Sequence, residues 1–253
     1  MSRRYGFQHD TDDHRDYNFG EAFRSPEVLQ PDGQWMKFLP EKEYQAHPSF
    51  EPSACVSFTT LNCLEILHKR KYDEEINFSD RFLAYISGTE RTGNSPRTVA
   101  SALRKQGTPE QAFWPFGGET FEEFYTKPSA IAFQNAKRFL KNYQVNYEVV
   151  PTEPKLIMQA LQSSPLGVSV SAWYQNDEGL YFKPEAIMNN HFTTLIGYEE
   201  GKHWLVFDSY EANSAPFKKI AWDTKFEVVR RYYIAKRTTP PSFWEKLKRF
   251  FDI

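Results

Sequence analysis

The sequence contains only two cysteines, Cys55 and Cys63, among its 253 residues. They lie on one predicted helix, about 12 Å apart by helical rise, which is too far for a disulfide bond. We therefore expect free thiols and a reducing, cytoplasmic compartment. Two cysteines without a second pair also argue against a structural zinc site of the usual kind, and we expect neither a metal nor a cofactor.

Long apolar runs are missing as well. No stretch approaches the ~18 residues that a transmembrane helix requires, and residues 1–5 do not lead into the apolar core of a signal peptide. The formal net charge of -2 argues against a nucleic-acid-binding or membrane-surface protein. With 40% hydrophobic and 17% aromatic residues, the chain is expected to be globular, with one large domain or two small ones.

The secondary-structure patterns change character near residue 143. Before that point, apolar periodicity and capping residues predict helices, and after it, alternation predicts an antiparallel sheet. The expected fold class is α+β, with a helical lobe over about residues 50–142 and a β lobe over about residues 143–237. The predicted helices span about residues 55–70, 81–87, 96–105, 129–142 and 152–162, the predicted strands about residues 143–150, 168–172, 191–198, 204–208, 217–222 and 227–235, and residues 108–128 are expected to be irregular.

Both ends are expected to lie outside the main domain of residues 21–237. Residues 238–253 begin with a proline linker and continue as an amphipathic helix, which folds back on its own domain, docks on a protein partner or lies on a membrane surface. Residues 1–20 form a polar arm whose acidic and histidine side chains suggest a metal site. We favour a solvated segment instead, because no fixed scaffold joins these side chains. The apolar stripe of the tail includes Phe243, Leu247 and Phe250, and the polar arm contains His9, Asp10, Asp12, Asp13, His14 and Asp16.

Cys55 lies at the predicted start of a buried helix. Ser53 is the predicted N-cap, and Phe58, Leu61 and Leu64 repeat on one face. The positive end of the helix macrodipole would lower the pKa of a thiol in the first turn and favour the nucleophilic thiolate. The alternative is a packed, unreactive cysteine.

His191 and Asp208 are predicted to be neighbours. His191 begins one strand of a hairpin that turns at residues 199–202, and Asp208 ends the next strand. An antiparallel hairpin pairs the beginning of one strand with the end of the other. A thiol enzyme needs a base and a group that orients the base, and this pair supplies both to Cys55. The alternative is a strand-end histidine that a carboxylate caps without catalysis.

Several segments, in order along the chain, resemble the papain-like (C1-type) cysteine peptidases, especially their bacterial and phage members. The family's nucleophile segment, Cys-Trp-Ala-Phe-Ser with a downstream Glu, is similar to residues 55–59 followed by Glu65. His191 follows Cys55 by 136 residues and Asp208 follows it by 153, near the ~130–150 that is typical of the family. Other similar segments are residues 78–83 (Leu-Ser-x-x-x-Leu in the family), 93–96 (Gly-Gly-Tyr-Pro), 106–116 (Tyr-Gly-x-x-x-Glu-x-x-x-Pro-Tyr), 191–198 (His-Ala-x-x-x-x-Gly-Tyr) and 208–210 (Asn-Ser-Trp).

The resemblance implies a two-lobed fold with an N-terminal helical lobe and a C-terminal antiparallel, β-barrel-like lobe. It implies hydrolysis of peptide bonds in peptide or protein substrates, by a triad of Cys55, His191 and Asp208 in a cleft between the lobes. Gly93 and Asn94 would line that cleft and pair with the substrate backbone. Since the sequence has no long propeptide, zymogen control of the usual kind is not expected.

The sequence departs from the family at the oxyanion site. Family members place a Gln six residues before the nucleophile, where this chain has Ser49. Gln45, ten residues before Cys55, could serve only if the loop follows a different path. Gln45 and Ser49 are therefore the oxyanion candidates, beside the backbone NH of Cys55. Asp208 replaces the orienting Asn and should favour the imidazolium more strongly, and Tyr210 replaces a shielding Trp.

Two other functions are compatible with the sequence. The first is a papain-like fold kept as a binding or structural module with little or no activity, for example as a virion component of a phage. The second keeps the same triad but transfers the acyl group to another amine, as isopeptide-forming or transglutaminase-like enzymes do.

Overall fold

The computed structural model describes residues 6–10, 13, 16, 18–19, 27–41, 43–210 and 217–237. The predicted amphipathic tail, with Phe243, Leu247 and Phe250, lies outside the described residues. Among the described residues, none of the helices combines the length and the apolar character needed to span a membrane.

The helices follow the sequence-based prediction closely. Serine side chains cap three of them as expected, with Ser79, Ser95 and Ser129 accepting hydrogen bonds from backbone NH groups in the first turns. The stretch expected to be irregular contains a short 3₁₀-helix and a four-residue α-helix, so that prediction was wrong there. The α-helices are α1 (Cys55–Tyr72), α2 (Asp80–Ile86), α3 (Pro96–Gln106), α4 (Phe121–Phe124), α5 (Ala130–Asn142) and α6 (Pro154–Leu161), with 3₁₀-helices at Met36–Phe38 and Gln111–Phe113.

The start of α1 differs from the prediction in its cap. The N-cap position is Ala54, and no side chain caps the helix there. Ser53 takes a left-handed backbone conformation with φ of 56°, which is uncommon for a residue other than glycine. Its hydroxyl donates instead to the carbonyl oxygen of Arg91 at 2.9 Å. The serine therefore ties the loop before α1 to another loop, and the prediction of Ser53 as N-cap was wrong.

The strands form one eight-stranded, mainly antiparallel sheet in the order β1-β8-β2-β5-β6-β7-β4-β3. The α+β fold class is confirmed, but the described strands form an open sheet and not the closed barrel that a barrel-like lobe suggests. Two short strands, β3 and β4, were not predicted. The strands are β1 (Tyr143–Val149), β2 (Leu166–Val170), β3 (Tyr174–Gln175), β4 (Tyr181–Phe182), β5 (His191–Glu199), β6 (His203–Phe207), β7 (Phe217–Ala221) and β8 (Val229–Lys236).

Helix α1 packs its whole first half against the sheet. Residues from Cys55 to His68 are all buried in it, so the helix is buried as the apolar repeat predicts, and the burial extends to all of its sides. Two buried hydroxyls hold the helix to the strands: Thr59 donates to the carbonyl oxygen of Phe192 at 2.9 Å, and Thr60 donates to the Tyr232 hydroxyl at 3.1 Å. These contacts fix the amino end of α1 against the beginning of β5.

Two acidic residues of the N-terminal arm are paired and not solvated as expected. Asp10 and Asp16 form buried or partly buried ion pairs with Arg230 and Arg97, respectively. Asp10 also accepts a hydrogen bond from the backbone NH of Arg97 at 3.1 Å, and Tyr147 donates to Asp16 at 3.0 Å. Asp10 and Asp16 therefore anchor the arm to arginines that lie far away in the sequence, while Asp12 and His14 lie outside the described residues.

A buried ion pair between β8 and β1 yields a stability prediction. Arg231 donates from Nη1 to Glu148 at 2.8 Å and from Nε to Ser163 at 2.7 Å. Replacing Arg231 by Met would leave the buried Glu148 carboxylate without its counter-charge, so we expect the free energy of unfolding to fall by about 3–5 kcal/mol in urea denaturation.

The matched control is the double variant Glu148→Leu/Arg231→Met, which removes both charges. It should recover most of the loss, because no uncompensated charge is then buried. A single variant as stable as the wild type would show that water or another group already compensates the carboxylate.

Candidate active site

Cys55 begins α1 and is fully buried. Burial raises the pKa of the Cys55 thiol, and the backbone of Phe192, the residue that follows His191, offsets this only in part. The negative charges of Glu51 and Asp208 raise the pKa further. The sequence predicted a lowered pKa from the helix macrodipole. In this conformation burial outweighs that effect, and the resting group is a neutral thiol.

His191 and Asp208 lie side by side, as the hairpin predicts. His191 is the first residue of β5, and Asp208 follows the last residue of β6. The imidazole Nε2 lies 2.7 Å from Asp208 Oδ1, and both side chains are fully buried. Because a carboxylate only accepts hydrogen bonds, Nε2 carries the proton, and the pairing fixes the orientation of the ring.

The second oxygen of Asp208 binds a lysine that the sequence reasoning missed. Lys218, on β7, places Nζ 2.6 Å from Asp208 Oδ2, and its side chain is only 5% exposed. Burial alone would raise the pKa of Asp208, but the charges and hydrogen bonds of His191 and Lys218 outweigh it and lower the pKa to about 2. Asp208 is thus an ionised carboxylate bound on both sides.

Two aromatic rings enclose the imidazole. Tyr210, which the sequence places at the shielding position, lies edge-on to His191 with ring centroids 5.7 Å apart. Trp173 lies at 5.6 Å in a similar T-shaped arrangement and was not anticipated. The rings limit the access of water to the histidine–carboxylate pair.

The two oxyanion candidates differ sharply in their surroundings. Gln45 is fully buried, and its segment pairs with the loop after Asp208: the backbone NH groups of Gln45 and Ala46 donate to the carbonyls of Ser209 and Tyr210 at 3.0 and 3.2 Å. Within the described residues, neither polar atom of the Gln45 side chain has a hydrogen-bond partner. Ser49 is exposed. Only Gln45 is therefore a buried amide with capacity for a further hydrogen bond.

The loop between Gln45 and Cys55 is held by two tyrosines. Tyr210 donates to Glu51 at 2.5 Å, and Glu51 accepts a second hydrogen bond from the backbone NH of Ser53 at 3.0 Å. Tyr125 donates to the carbonyl oxygen of Pro52 at 2.7 Å. These bonds fix the part of the loop that joins Cys55 to the Gln45 segment, whose backbone is bonded to Ser209 and Tyr210.

Gly93 and Asn94, the predicted substrate-binding residues, pair with the chain's own N-terminal arm. The NH of Asn94 donates to the Gly6 carbonyl at 3.0 Å, and the NH of Gln8 donates to the Asn94 carbonyl at 2.9 Å. Between them, the Phe7 ring stacks on Phe192 with centroids 5.6 Å apart. Residues 6–8 and Asn94 thus form an isolated parallel bridge in which the Phe7 side chain is buried.

The same arm approaches the loop before Cys55 closely. A Cβ on Gly6 would lie 2.3 Å from the carbonyl oxygen of Ser53, and a Cβ on Gly93 would lie 1.9 Å from the carbonyl oxygen of Gly6. Both glycines have positive φ angles, of 95° and 93°. Larger residues could not be accommodated without moving the arm away.

The described residues include a buried imidazole oriented by a carboxylate, and a buried thiol whose pKa is raised by burial and by the charge of that carboxylate. These are the groups that covalent catalysis by cysteine uses. No group of three or more His, Cys, Asp or Glu side chains is arranged to hold a metal ion in the part of the chain that the structure describes.

Comparisons with known proteins place this geometry in context. No protein-family profile matches the sequence, and no curated protein sequence matches it. Solved structures do match. Xylellain, a cysteine protease from Xylella fastidiosa, is similar over 95% of this chain and 99% of its own, with a TM-score of 0.63 and 18% identity.

Two further cysteine proteases are similar over shorter stretches. Digestive procathepsin L 3 of Tenebrio molitor matches 83% of this chain and 72% of its own, with a TM-score of 0.62 and 13% identity. The cysteine protease and lectin-like domains of Cwp84 from Clostridium difficile match 80% of this chain and 51% of their own length, with a TM-score of 0.65 and 14% identity. At such identities the likeness establishes the fold: the chain folds as the papain-like cysteine proteases do.

Proposed function

We propose that this protein hydrolyses peptide bonds through a triad of Cys55, His191 and Asp208. The observation that supports the proposal is the buried His191–Asp208 pair, 2.7 Å long, together with a buried cysteine at the start of α1 whose pKa is raised by burial and by the charge of Asp208. The fold that the chain shares with solved cysteine proteases supports the same chemistry.

The proposed reaction begins with proton transfer from Cys55 to His191. Since Nε2 is bonded to Asp208, Nδ1 is the ring atom that exchanges this proton. The thiolate attacks the peptide carbonyl, and the imidazolium then returns the proton to the leaving amine. Water, deprotonated by His191, releases the acyl group. Asp208 holds the ring in position throughout and stabilises its charged form.

The proposed oxyanion site combines the backbone NH of Cys55 with the side-chain amide of Gln45. Gln45 is supported over Ser49 because it is buried and its segment is bonded to the loop after Asp208, whereas Ser49 is exposed. Preorganised donors of this kind stabilise the charge that develops on the carbonyl oxygen.

Gly93 and Asn94 are the proposed strip for the substrate backbone. In the described conformation, residues 6–8 already form hydrogen bonds there, and Phe7 fills the space above Phe192. A substrate must therefore displace the arm, and the arm acts as an internal competitor.

A second function is favoured by one observation. Cys55 is fully buried and its pKa is raised, as expected of an unreactive cysteine. A papain-like module that binds a partner without catalysis would keep the thiol in this state permanently.

Selective labelling of the two thiols separates these functions. With an epoxide inhibitor of thiol proteases, we expect Cys55 to be modified at least a hundredfold faster than Cys63, followed by peptide mass spectrometry. Cys63 is a matched internal control because it is equally buried on the same helix and its pKa is also raised by burial. The Cys55→Ala variant should lose hydrolysis of a peptide library. Equal, slow labelling of both thiols, or hydrolysis by Cys55→Ala, would refute the proposed triad.

The oxyanion assignment predicts different costs for two neighbouring substitutions. Gln45→Ala should lower kcat by about 100- to 1,000-fold, because one donor to the developing charge is lost. Ser49→Ala is the control and should leave kcat within about twofold, since surface substitutions rarely matter. The measurement is steady-state hydrolysis of a peptide substrate. The reverse ranking would assign the site to Ser49.

The competing arm predicts a gain of reactivity. Phe7→Ala removes a buried ring from the strip above Phe192 and should raise the labelling rate of Cys55 roughly ten- to hundredfold, given the value of burying a Phe side chain. Phe113→Ala, at a half-exposed ring, is the matched control and should not change the rate. If Phe7→Ala folds normally and labels no faster than the wild type, the arm does not limit access to Cys55.

A further inference from the structure

Strand β7 carries a lysine on its buried face. Phe217 is 38% exposed, Lys218 is 5% exposed and Ile220 is 1% exposed, so the lysine shares the inward face with an isoleucine. Lysine is almost never buried unless it is paired. Lys218 lies opposite Val206 on the neighbouring strand β6. Asp208 follows Val206 by two residues, so the lysine side chain can reach its carboxylate.

The ammonium of Lys218 contacts both Asp208 and Trp173. Nζ lies 2.6 Å from Asp208 Oδ2, and it lies 4.8 Å from the centroid of the Trp173 ring. Trp173 also contacts His191 edge-on. The lysine and the histidine therefore take opposite oxygens of one carboxylate and share one aromatic neighbour.

The charges of the four buried groups balance only because Lys218 is present. With Cys55 as a thiol and His191 neutral, Asp208 and Lys218 cancel each other. When the proton moves from Cys55 to His191, a thiolate and an imidazolium are added, and the four groups again carry no net charge. Without Lys218, one negative charge would stay buried in both states, which is costly in a site that excludes water.

We propose that Lys218 is a positioning residue for the candidate triad: it anchors Asp208 by its second oxygen and cancels the carboxylate's charge, which limits how strongly His191 holds its proton. The inference rests on the proposed function, because it concerns the same His191 and Asp208. It also replaces the expectation that Asp208 favours the imidazolium more strongly, since half of the carboxylate's hydrogen-bonding capacity is given to Lys218.

The other titratable groups that face this cluster are few in the described part of the chain. Cys55 approaches from α1, and Glu51 lies within electrostatic reach of Cys55 from the preceding loop. Tyr210 approaches His191 from the loop after β6, and its hydroxyl donates a hydrogen bond to Glu51. Glu51 and Tyr210 are unchanged in the variants below, so changes at His191 report on Asp208 and Lys218.

The test follows the protonation of His191 by the carbon chemical shifts of ¹³C-labelled histidine against pH, with Asp208 and Lys218 varied. The signal is assigned by its absence in His191→Gln. In Lys218→Met, we expect His191 to hold its proton to about one pH unit higher than in the wild type, because the full carboxylate charge then acts on the imidazolium. Lys218→Arg keeps the charge and should restore the wild-type titration. Lys218→Gln is the second neutral variant, should Lys218→Met fail to fold.

The double variant gives a further check on charge balance. Asp208→Asn alone leaves the Lys218 ammonium buried without its carboxylate, so we expect it to unfold at lower urea concentration and to label slowly at Cys55. Asp208→Asn/Lys218→Met removes both charges and should be more stable than Asp208→Asn and label at least tenfold faster, because a neutral amide needs no counter-charge.

The outcomes separate this proposal from the proposed function. An unchanged titration of His191 in folded Lys218→Met or Lys218→Gln overturns it, because a merely structural lysine would alter stability alone. A double variant no better than Asp208→Asn also overturns it. If the wild-type protein neither labels at Cys55 nor hydrolyses peptides, the proposed peptidase function is refuted. The histidine titration requires no turnover, so it still tests the role of Lys218 in that case.

Discussion

The contact between the amino end of α1 and the first residues of β5 is the constraint on which the rest of the site depends. Thr59 donates to the Phe192 carbonyl and so holds the first turns of α1 to the strand. His191 precedes Phe192, so its ring is placed by the sheet while the thiol is placed by the helix. A shift of either element along the other would change the position of the thiol relative to the imidazole.

Burial makes this arrangement sensitive to charge. Packing removes both Cys55 and His191 from water, and this burial raises the pKa of the thiol. The reactive form then depends on moving a proton within the site and not on releasing it to solvent. Burial alone would raise the pKa of Asp208, but the interactions with His191 and Lys218 outweigh burial and lower that pKa to about 2, so Asp208 stays ionised. Its charge is lost only in strong acid, so near neutral pH the carboxylate provides a constant field for His191.

The sequence predicts the parts of the site that depend on periodic structure. The hairpin alternation placed His191 beside Asp208, and the helical pattern placed Cys55 at the start of α1. Gln45 was ambiguous because the loop before α1 has no period, and its path depends on hydrogen bonds to Ser209 and Tyr210, far away in the sequence. The burial of Lys218 could have been predicted, since the alternation of β7 puts it on the same face as Ile220. Its role could not, because a buried lysine can be interpreted only when its partner is known.

The His191–Asp208 pair and the Cys55 thiol differ in how far this conformation suits them to react. On the sheet side, a hydrogen bond, an ion pair and the rings of Trp173 and Tyr210 hold the histidine–carboxylate pair. On the helix side, Gly6 and Phe7 of the arm pack against Ser53 and Phe192, and the Cys55 thiol is fully buried. Under the proposed function the base is already oriented, so displacement of the arm need change only the surroundings of Cys55. Access to the thiol would then govern reactivity more than assembly of the proposed triad does.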